Sequence, residues 1–480
     1  MLIGLAALIA GCATNPVTGA SQFVMVSEEE EIAMGREAAP DVLKRYRRYD
    51  NPALQAYVQS VGEQLAQRSH RPNLVYRFTV LDSTEVNAFA LPGGYIYITR
   101  GLLAYLNSEA QLAAVLGHEI GHVTARHSVR QISAAKAAGI GYTIGAILLP
   151  QLRTRVAQDL FNVAGTALLR GYGRDMELEA DRLGAQYLAH SSYSPQAMIE
   201  VIGVLKHQEE FEQQLAKEEG REPRVYHGLF ATHPEHDTRL QEVVGEAEAV
   251  KTAETTRVNQ EEFFRSLDGL VFGDSEQEGI RRGNRFYHKE LGFALSFPEG
   301  WRVENLPDRL IAKPREGDAL IQMDVADLNQ RISPREFMVN RMKLGNLAEG
   351  EEIRPGGLEG YTAFTRINTP FGKRRTRVSV IYFRNQAFII AGAAKEDMAP
   401  SRYDGDFLAT AQSFHALTEQ ERPLASALKL RIITASAETG FAKLAGKSNI
   451  HSHAEEQLRL LNGMYPTGEP TPGQKLKIVE

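Results

Sequence analysis

Cysteine is almost absent from this 480-residue chain: Cys12 stands alone, so no intramolecular disulfide can form and a thiolate-built metal site is excluded. Any zinc must therefore sit on histidine and carboxylate. Basic residues interleaved with aromatics are also missing, and the formal charge of −6 is spread along the chain; nucleic acid is not expected as a partner. No internal repeat at solenoid spacing is evident. The most apolar internal stretch, Ala137 to Pro150, is glycine-dotted and shorter than the ~20 residues a spanning helix requires. It reads as a buried hairpin or a mobile lid, with an inserted membrane element as the alternative. The length itself predicts two or three folded units.

The segment before the first apolar run lacks the Lys or Arg that normally opens a secretory signal, so either residue 1 is not the true start or the N-terminus simply packs. What is present, an apolar run from Leu2 to Ala10 followed by Gly11 and Cys12, reads as the tail of a signal peptide over residues 1–12. Ile9-Ala10-Gly11-Cys12 resembles the lipobox of bacterial lipoproteins, which are cut before the cysteine and acylated on it. That resemblance implies lipidation at Cys12 and an anchor that tethers without spanning. Ala13 resembles an outer-membrane sorting signal.

Further on, Ser27 to Arg48 opens with an N-cap and an acidic turn and predicts a helix. Leu74 to Leu81 and Tyr95 to Ile98 predict strands, the second reached through Pro92-Gly93-Gly94. Ser108 and Gln111 form a capping-box signature that opens a long helix through about His127. Helical patterns resume over Val156–Leu169, Arg174–His190 and Pro195–Lys217. After Lys251 the texture changes, and beyond Phe286 apolar residues alternate with period two, as in Ala319-Ile321-Met323-Val325; Arg384-Asn385-Gln386 predicts a hairpin turn. The domains expected are 27–250, a linker at 251–285, a β-rich unit at 286–418 and a small module at 424–480.

The chemistry is carried by His118-Glu119-Ile120-Gly121-His122. Two imidazoles at i and i+4 on one helix face can reach one tetrahedral zinc ion, and Glu119 beside them is placed to act as general base on a zinc-bound water. A third protein ligand is needed. The position of the third histidine in metzincins is Ser128 here, the glycine position is Ala125, and His127 falls off the zinc face, so a downstream carboxylate is expected. Glu177 and Asp181, one turn apart, form such a pair: one can bind zinc while the other accepts a hydrogen bond from a ligating His. Glu179 points elsewhere and reads as a solvated residue, although the residues alone favour Glu177 over it only slightly.

With these pieces in order, Cys12 to about Val250 resembles the gluzincin peptidases of the HtpX and CAAX-prenyl-protease type, in their periplasmic BepA- and LoiP-like lipoprotein branch. The resemblance rests on Asn15-Pro16-Val17-Thr18-Gly19, Asn87-Ala88-Phe89-Ala90-Leu91-Pro92-Gly93-Gly94, the HEIGH segment and Glu177-Leu178-Glu179-Ala180-Asp181. It implies one zinc per chain on His118, His122 and Glu177, with Asp181 supporting a ligand. It also implies that Asn87, Ala88, Phe89, Ala90, Leu91, Pro92, Gly93 and Gly94 form an edge strand that pairs with extended substrate. His233-Pro234 with Arg239 resembles a further motif, in which the His either stabilises the oxyanion or caps the metal; locally, Thr232 and Glu235 also read as a plain capping box. Leu458 to Val479 is similar to the end of a LysM module, which binds peptidoglycan.

The expected architecture is a mainly α zincin peptidase domain with a small β element, then an α+β antiparallel-sheet domain, then a LysM-like module. The function implied is a zinc metalloendopeptidase cleaving misfolded or unassembled envelope proteins, in the periplasm and lipid-anchored to the outer membrane. The rivals are a latched zinc protein acting as an assembly or peptidoglycan-binding factor, and a peptidase acting on peptidoglycan stems.

Overall fold

The computed structural model describes residues 12–19, 21–137, 172–219, 245, 249, 252–306, 309–397 and 401–480. Nearly all of the apolar stretch Ala137–Pro150, the helical pattern Val156–Leu169, and both His233 and Arg239 lie outside them. The chain divides into two compact units, residues 1–272 with 429–480, and residues 273–428.

The first unit begins with a short antiparallel pair, β1 (Cys12–Thr14) and β2 (Ser21–Phe23). Helix α1 (Glu28–Arg45) starts at a reciprocal capping box between Ser27 and Glu30, four glutamates in its first turn favouring the positive end of the helix dipole. Helix α2 (Pro52–Ala66) follows, capped by Asn51 with proline at its first position. A three-stranded sheet has the order β3 (Arg77–Leu81), β5 (Tyr95–Thr99), β4 (Ala88–Leu91), with β3 parallel and β4 antiparallel to β5. The β4–β5 turn requires its glycines: Gly93 and Gly94 have φ of 74° and 86°, which a side chain disfavours.

After α3 (Arg100–Tyr105), helix α4 (Glu109–Thr124) carries the HEIGH segment, and all its residues are buried. Its hydrogen bond from Gln111 N–H to Ser108 Oγ, 3.1 Å, fixes the start. Its end departs from expectation, because the helix stops at Thr124 instead of running to His127. Arg126 there adopts φ 56°, a conformation costing a non-glycine residue about 1–2 kcal/mol. Tertiary contacts offset that cost: Arg126 Nε donates to Glu31 Oε2 at 2.8 Å and its Nη2 to the Val26 carbonyl at 3.0 Å. Helix α5 (His127–Ala137) then begins.

Helix α6 (Arg174–His190) packs on α4 across glycines. A Cβ on Gly121 would lie 2.8 Å from the Ala180 carbonyl oxygen, and one on Gly184 3.1 Å from the His118 nitrogen. The backbones can approach this closely only without side chains at those points. Helices α7 (Gln196–Glu219) and α8 (Gln260–Leu267) complete the helical layer. Thus the stretch 251–285, expected as a linker, contains a helix and strand segments over its described part. Residues beyond 428 join the same unit. β18 (Leu428–Thr434), α10 (Phe441–Ala445), α11 (Ala454–Leu461) and β19 (Lys475–Val479) form strand, helix, helix, strand, and the sheet order is β19-β18-β6, with β6 at Val271–Phe272. Lys477, fully buried, donates to the carbonyls of Ala104 and Leu106 at 2.6 Å each, closing the end of α3.

The second unit is built on a seven-stranded antiparallel sheet. Its order is β10 (Arg302–Leu306), β11 (Arg309–Lys313), β12 (Ala319–Asp327), β16 (Gln386–Ala394), β15 (Gly372–Phe383), β14 (Gly360–Thr369), β13 (Ala348–Ile353). The β15–β16 hairpin turns at Arg384-Asn385, with Phe383 opposite Gln386. A four-stranded sheet, β17 (His415–Ala416), β9 (Phe293–Ser296), β8 (Arg285–His288), β7 (Ile280–Arg282), and helix α9 (Asp404–Gln412) enclose the core. Phe293, Phe388 and Phe414 meet there with ring centroids 4.7–5.1 Å apart, a spacing that suits offset and edge contacts.

Candidate metal centre

The i, i+4 spacing on α4 puts His118 and His122 on one face, and the glycine crossing brings α6 against that face. Glu177, in the first turn of α6, completes a buried cluster of His118, His122 and Glu177. The two Nε2 atoms face each other at 2.9 Å, and the Glu177 oxygens lie 3.6 Å from His118 Nε2 and 3.5 Å from His122 Nε2. A tetrahedral ion with bonds of 2.0–2.1 Å has ligand–ligand edges of about 3.3 Å, so the triangle fits zinc in size and donor type. Glu119, also fully buried, follows His118 on the same helix.

Each histidine has a polar partner on its far side. His118 Nδ1 is 2.8 Å from Asp181 Oδ1. His122 Nδ1 is 2.7 Å from His127 Nδ1, and His127 Nε2 is 3.0 Å from Glu179 Oε2, which also accepts from Arg130 Nη1 at 2.8 Å. The expectation of a solvated Glu179 is thereby corrected: its side chain is 14% exposed and doubly paired. The reading that His127 lies off the zinc face holds for an uninterrupted helix; the break at Arg126 swings it behind His122 instead. Burial pushes the His127 imidazole down to about 4 despite the opposing pull of Glu179. The hydrogen bond from His127, together with Arg130, holds Glu179 down at about 2 against its own desolvation. Both effects give a neutral imidazole facing an ionised carboxylate. Tyr172 stacks on His122, centroids 4.0 Å apart, with its hydroxyl 2.7 Å from Ser128 Oγ.

The substrate-strand residues are divided by the fold. Ala88 to Leu91 make β4, the edge of its sheet, Pro92 to Gly94 make the turn, and Asn87 precedes the strand with its N–H bonded to Thr99 Oγ1 at 3.1 Å. Cys12 starts β1.

Residues 52–247 match the family model "Peptidase family M48", and the matched stretch contains the whole His118, His122, Glu177 cluster. The chain is similar to the beta-barrel assembly-enhancing protease of Escherichia coli, 30% identical over 234 residues, covering 47% of this chain and 46% of that protein. It is also similar to mitochondrial metalloendopeptidase OMA1 of Arabidopsis thaliana, 37% identical over 131 residues, covering 27% and 26%. OMA1 of Schizosaccharomyces pombe is 30% identical over 185 residues, covering 38% and 54%. The chain spans about half the length of the curated relatives it matches. Among the described residues no helix is long and apolar enough to cross a membrane.

Sequence reasoning missed the His127–Glu179–Arg130 chain and the part played by Glu31 and Arg126. The glycines at 117, 121 and 184 were a readable signal for close helix approach; the left-handed turn at Arg126 had no local signal, since neither glycine nor asparagine stands there.

Proposed function

We propose that this chain is a zinc-dependent metalloendopeptidase of the cell envelope. The observation that carries the proposal is the buried His118, His122, Glu177 triangle of zinc-like dimensions, with Glu119 on the same helix, inside an M48 segment. When bound, zinc supplies the Lewis acid that polarises the scissile carbonyl and acidifies the attacking water. Glu119 takes the water proton on its carboxylate and passes it to the leaving amine. Asp181 accepts the Nδ1–H of His118, which keeps Nε2 available as a ligand.

Substrate binds extended along β4, adding a strand at the sheet edge through main-chain hydrogen bonds; the edge position of Ala88–Leu91 supports this. His233, with Arg239 nearby in sequence, stabilises the developing oxyanion or caps the metal. Unassembled or misfolded envelope proteins are the substrates, a reading drawn from the name of the E. coli relative. Cys12 carries a lipid anchor to the outer membrane on the periplasmic side, and residues 424–480 act as a LysM-like peptidoglycan-binding module; both rest on sequence resemblance.

The test is cleavage of casein or unfolded outer-membrane protein by the purified chain, with zinc quantified, beside Glu119→Gln. About one zinc per chain and a loss of cleavage of roughly 10²–10⁴-fold in the variant support the proposal. Zinc bound without cleavage by either protein overturns it in favour of a latched binding factor.

A further inference from the structure

The two histidine ligands are supported by different means. His118 hands its Nδ1 proton directly to a carboxylate, Asp181, at 2.8 Å. His122 faces a second imidazole, and a contact between two ring nitrogens at 2.7 Å requires that one of them carry the proton and the other a lone pair. The rest of the chain decides which. Glu179 Oε2, already accepting from Arg130 at 2.8 Å, can only accept from His127 Nε2 at 3.0 Å. His127 therefore carries its proton on Nε2 and leaves Nδ1 as an acceptor. His122 must then carry its proton on Nδ1, and its Nε2 lone pair points at His118 and Glu177.

We propose that His127, held by Glu179 and Arg130, is a positioning residue that sets the tautomer and ring orientation of the metal ligand His122. The inference rests on the reading of His118, His122 and Glu177 as a zinc site and deepens it. The arrangement is built by tertiary structure. His127 is fully buried, and it reaches His122 because the chain breaks at Arg126, φ 56°, where the Glu31 carboxylate grips the guanidinium at 2.8 Å. Glu179 comes from α6, the helix that also supplies Glu177 and Asp181. One helix thus contributes a ligand and the support for both imidazoles. An acceptor behind a ligating imidazole raises its basicity and fixes its plane, and losing one typically costs 10–100-fold in metal affinity.

The test uses the full chain and three variants, with the zinc dissociation constant read by chelator competition and the site geometry by the visible spectrum of the Co²⁺-loaded protein. His127→Phe keeps a ring but removes the acceptor, and is expected to weaken zinc by roughly 10–100-fold and to alter the Co²⁺ bands. His127→Asn retains an acceptor close to the Nδ1 position and is expected to recover most of the affinity. Glu179→Ala is expected to weaken zinc about tenfold, and it decides the matter if His127→Phe fails to fold. Parent-like zinc affinity in His127→Phe or in Glu179→Ala overturns the proposal. So does equal impairment of the Phe and Asn variants, which would mark His127 as a packing residue. A parent chain that binds no zinc overturns the metallopeptidase reading itself; zinc binding without dependence on His127 overturns only the positioning role.

Discussion

Among the described residues the first unit buries Glu31, Arg71, Asp82, Arg100, Glu109, Arg126, Glu212 and Lys477 besides the residues of the candidate metal centre, whereas the second unit buries no carboxylate, lysine or arginine, and its buried polar side chains are hydroxyls and His288. Burying an ion is costly unless it is paired and hydrogen-bonded. In the first unit most of these groups are paired: Glu31 binds both Arg71 and Arg126 at 2.8 Å, Arg71 also caps the Val123 carbonyl at 3.1 Å, and Asp82 pairs with Arg100; among the described residues Lys477 has no carboxylate partner, and burial pushes its ammonium well down while it donates to two carbonyls. The second unit reaches its fold with alternating apolar strands and an aromatic core. The contrast teaches that the helical unit uses directional, charged contacts to fix a site, while the sheet unit relies on non-directional burial.

The sharpest way to break this contrast is to remove one member of each kind. Glu31→Ala leaves the buried Arg126 guanidinium without its carboxylate and Arg71 with Glu28 alone, and should cost about 3–5 kcal/mol in chemical unfolding, with weaker zinc binding because the Arg126 turn loosens. Phe388→Ala should cost a similar amount, about 3–5 kcal/mol, while zinc affinity stays at the parent value; a drop in affinity there would collapse the distinction. A smaller effect is expected of Gly121→Ala, whose added Cβ must displace the Ala180 carbonyl now 2.8 Å away. Zinc affinity measured by competition should fall on the order of tenfold, about 1.4 kcal/mol, and an unchanged value would show that α6 can shift without cost to the site.

Acid sharpens the comparison further. Burial raises the Glu109 carboxyl, but hydrogen bonds from Tyr57, Asn259 and Tyr193 and the charge of Arg257 outweigh it and hold the group below 4.5. A depressed carboxylate contributes stability that is present above its unfolded value and is lost as pH falls through the folded one. The stability advantage of the parent over Glu109→Gln, followed by denaturant unfolding from pH 7 to 3, should therefore hold down to about pH 4.5 and shrink below it; an advantage that grows on acidification would reverse the assignment. The smallest effect belongs to the second unit, where Ser379 Oγ donates to Thr362 Oγ1 at 2.8 Å in the core. Ser379→Ala should cost about 1 kcal/mol with no change in zinc affinity.

How far the sequence was legible follows from the range of the forces involved. The cap at Ser108 and the hairpin at Arg384-Asn385 were readable because the signals lie within a few residues of the element they start or end. Glu179 was misread as solvated because its partners, His127 and Arg130, sit 52 and 49 residues away in the chain. The end of α4 was misplaced for the same reason: Glu31, which holds the break, is 95 residues from Arg126.

By itself the sequence determined the histidine pair of the candidate metal site, since a single cysteine excludes thiolate sites and the i, i+4 histidines can converge only from one helix face. It also determined the class of the second unit, because period-two apolar alternation admits little else than a sheet with one buried face. Only the tertiary structure decided which carboxylates of Glu177, Glu179 and Asp181 lie against which histidine. Three acids within one and a half turns of helix present themselves in different directions, and the choice among them is made by a crossing angle and a close glycine contact that no local pattern encodes.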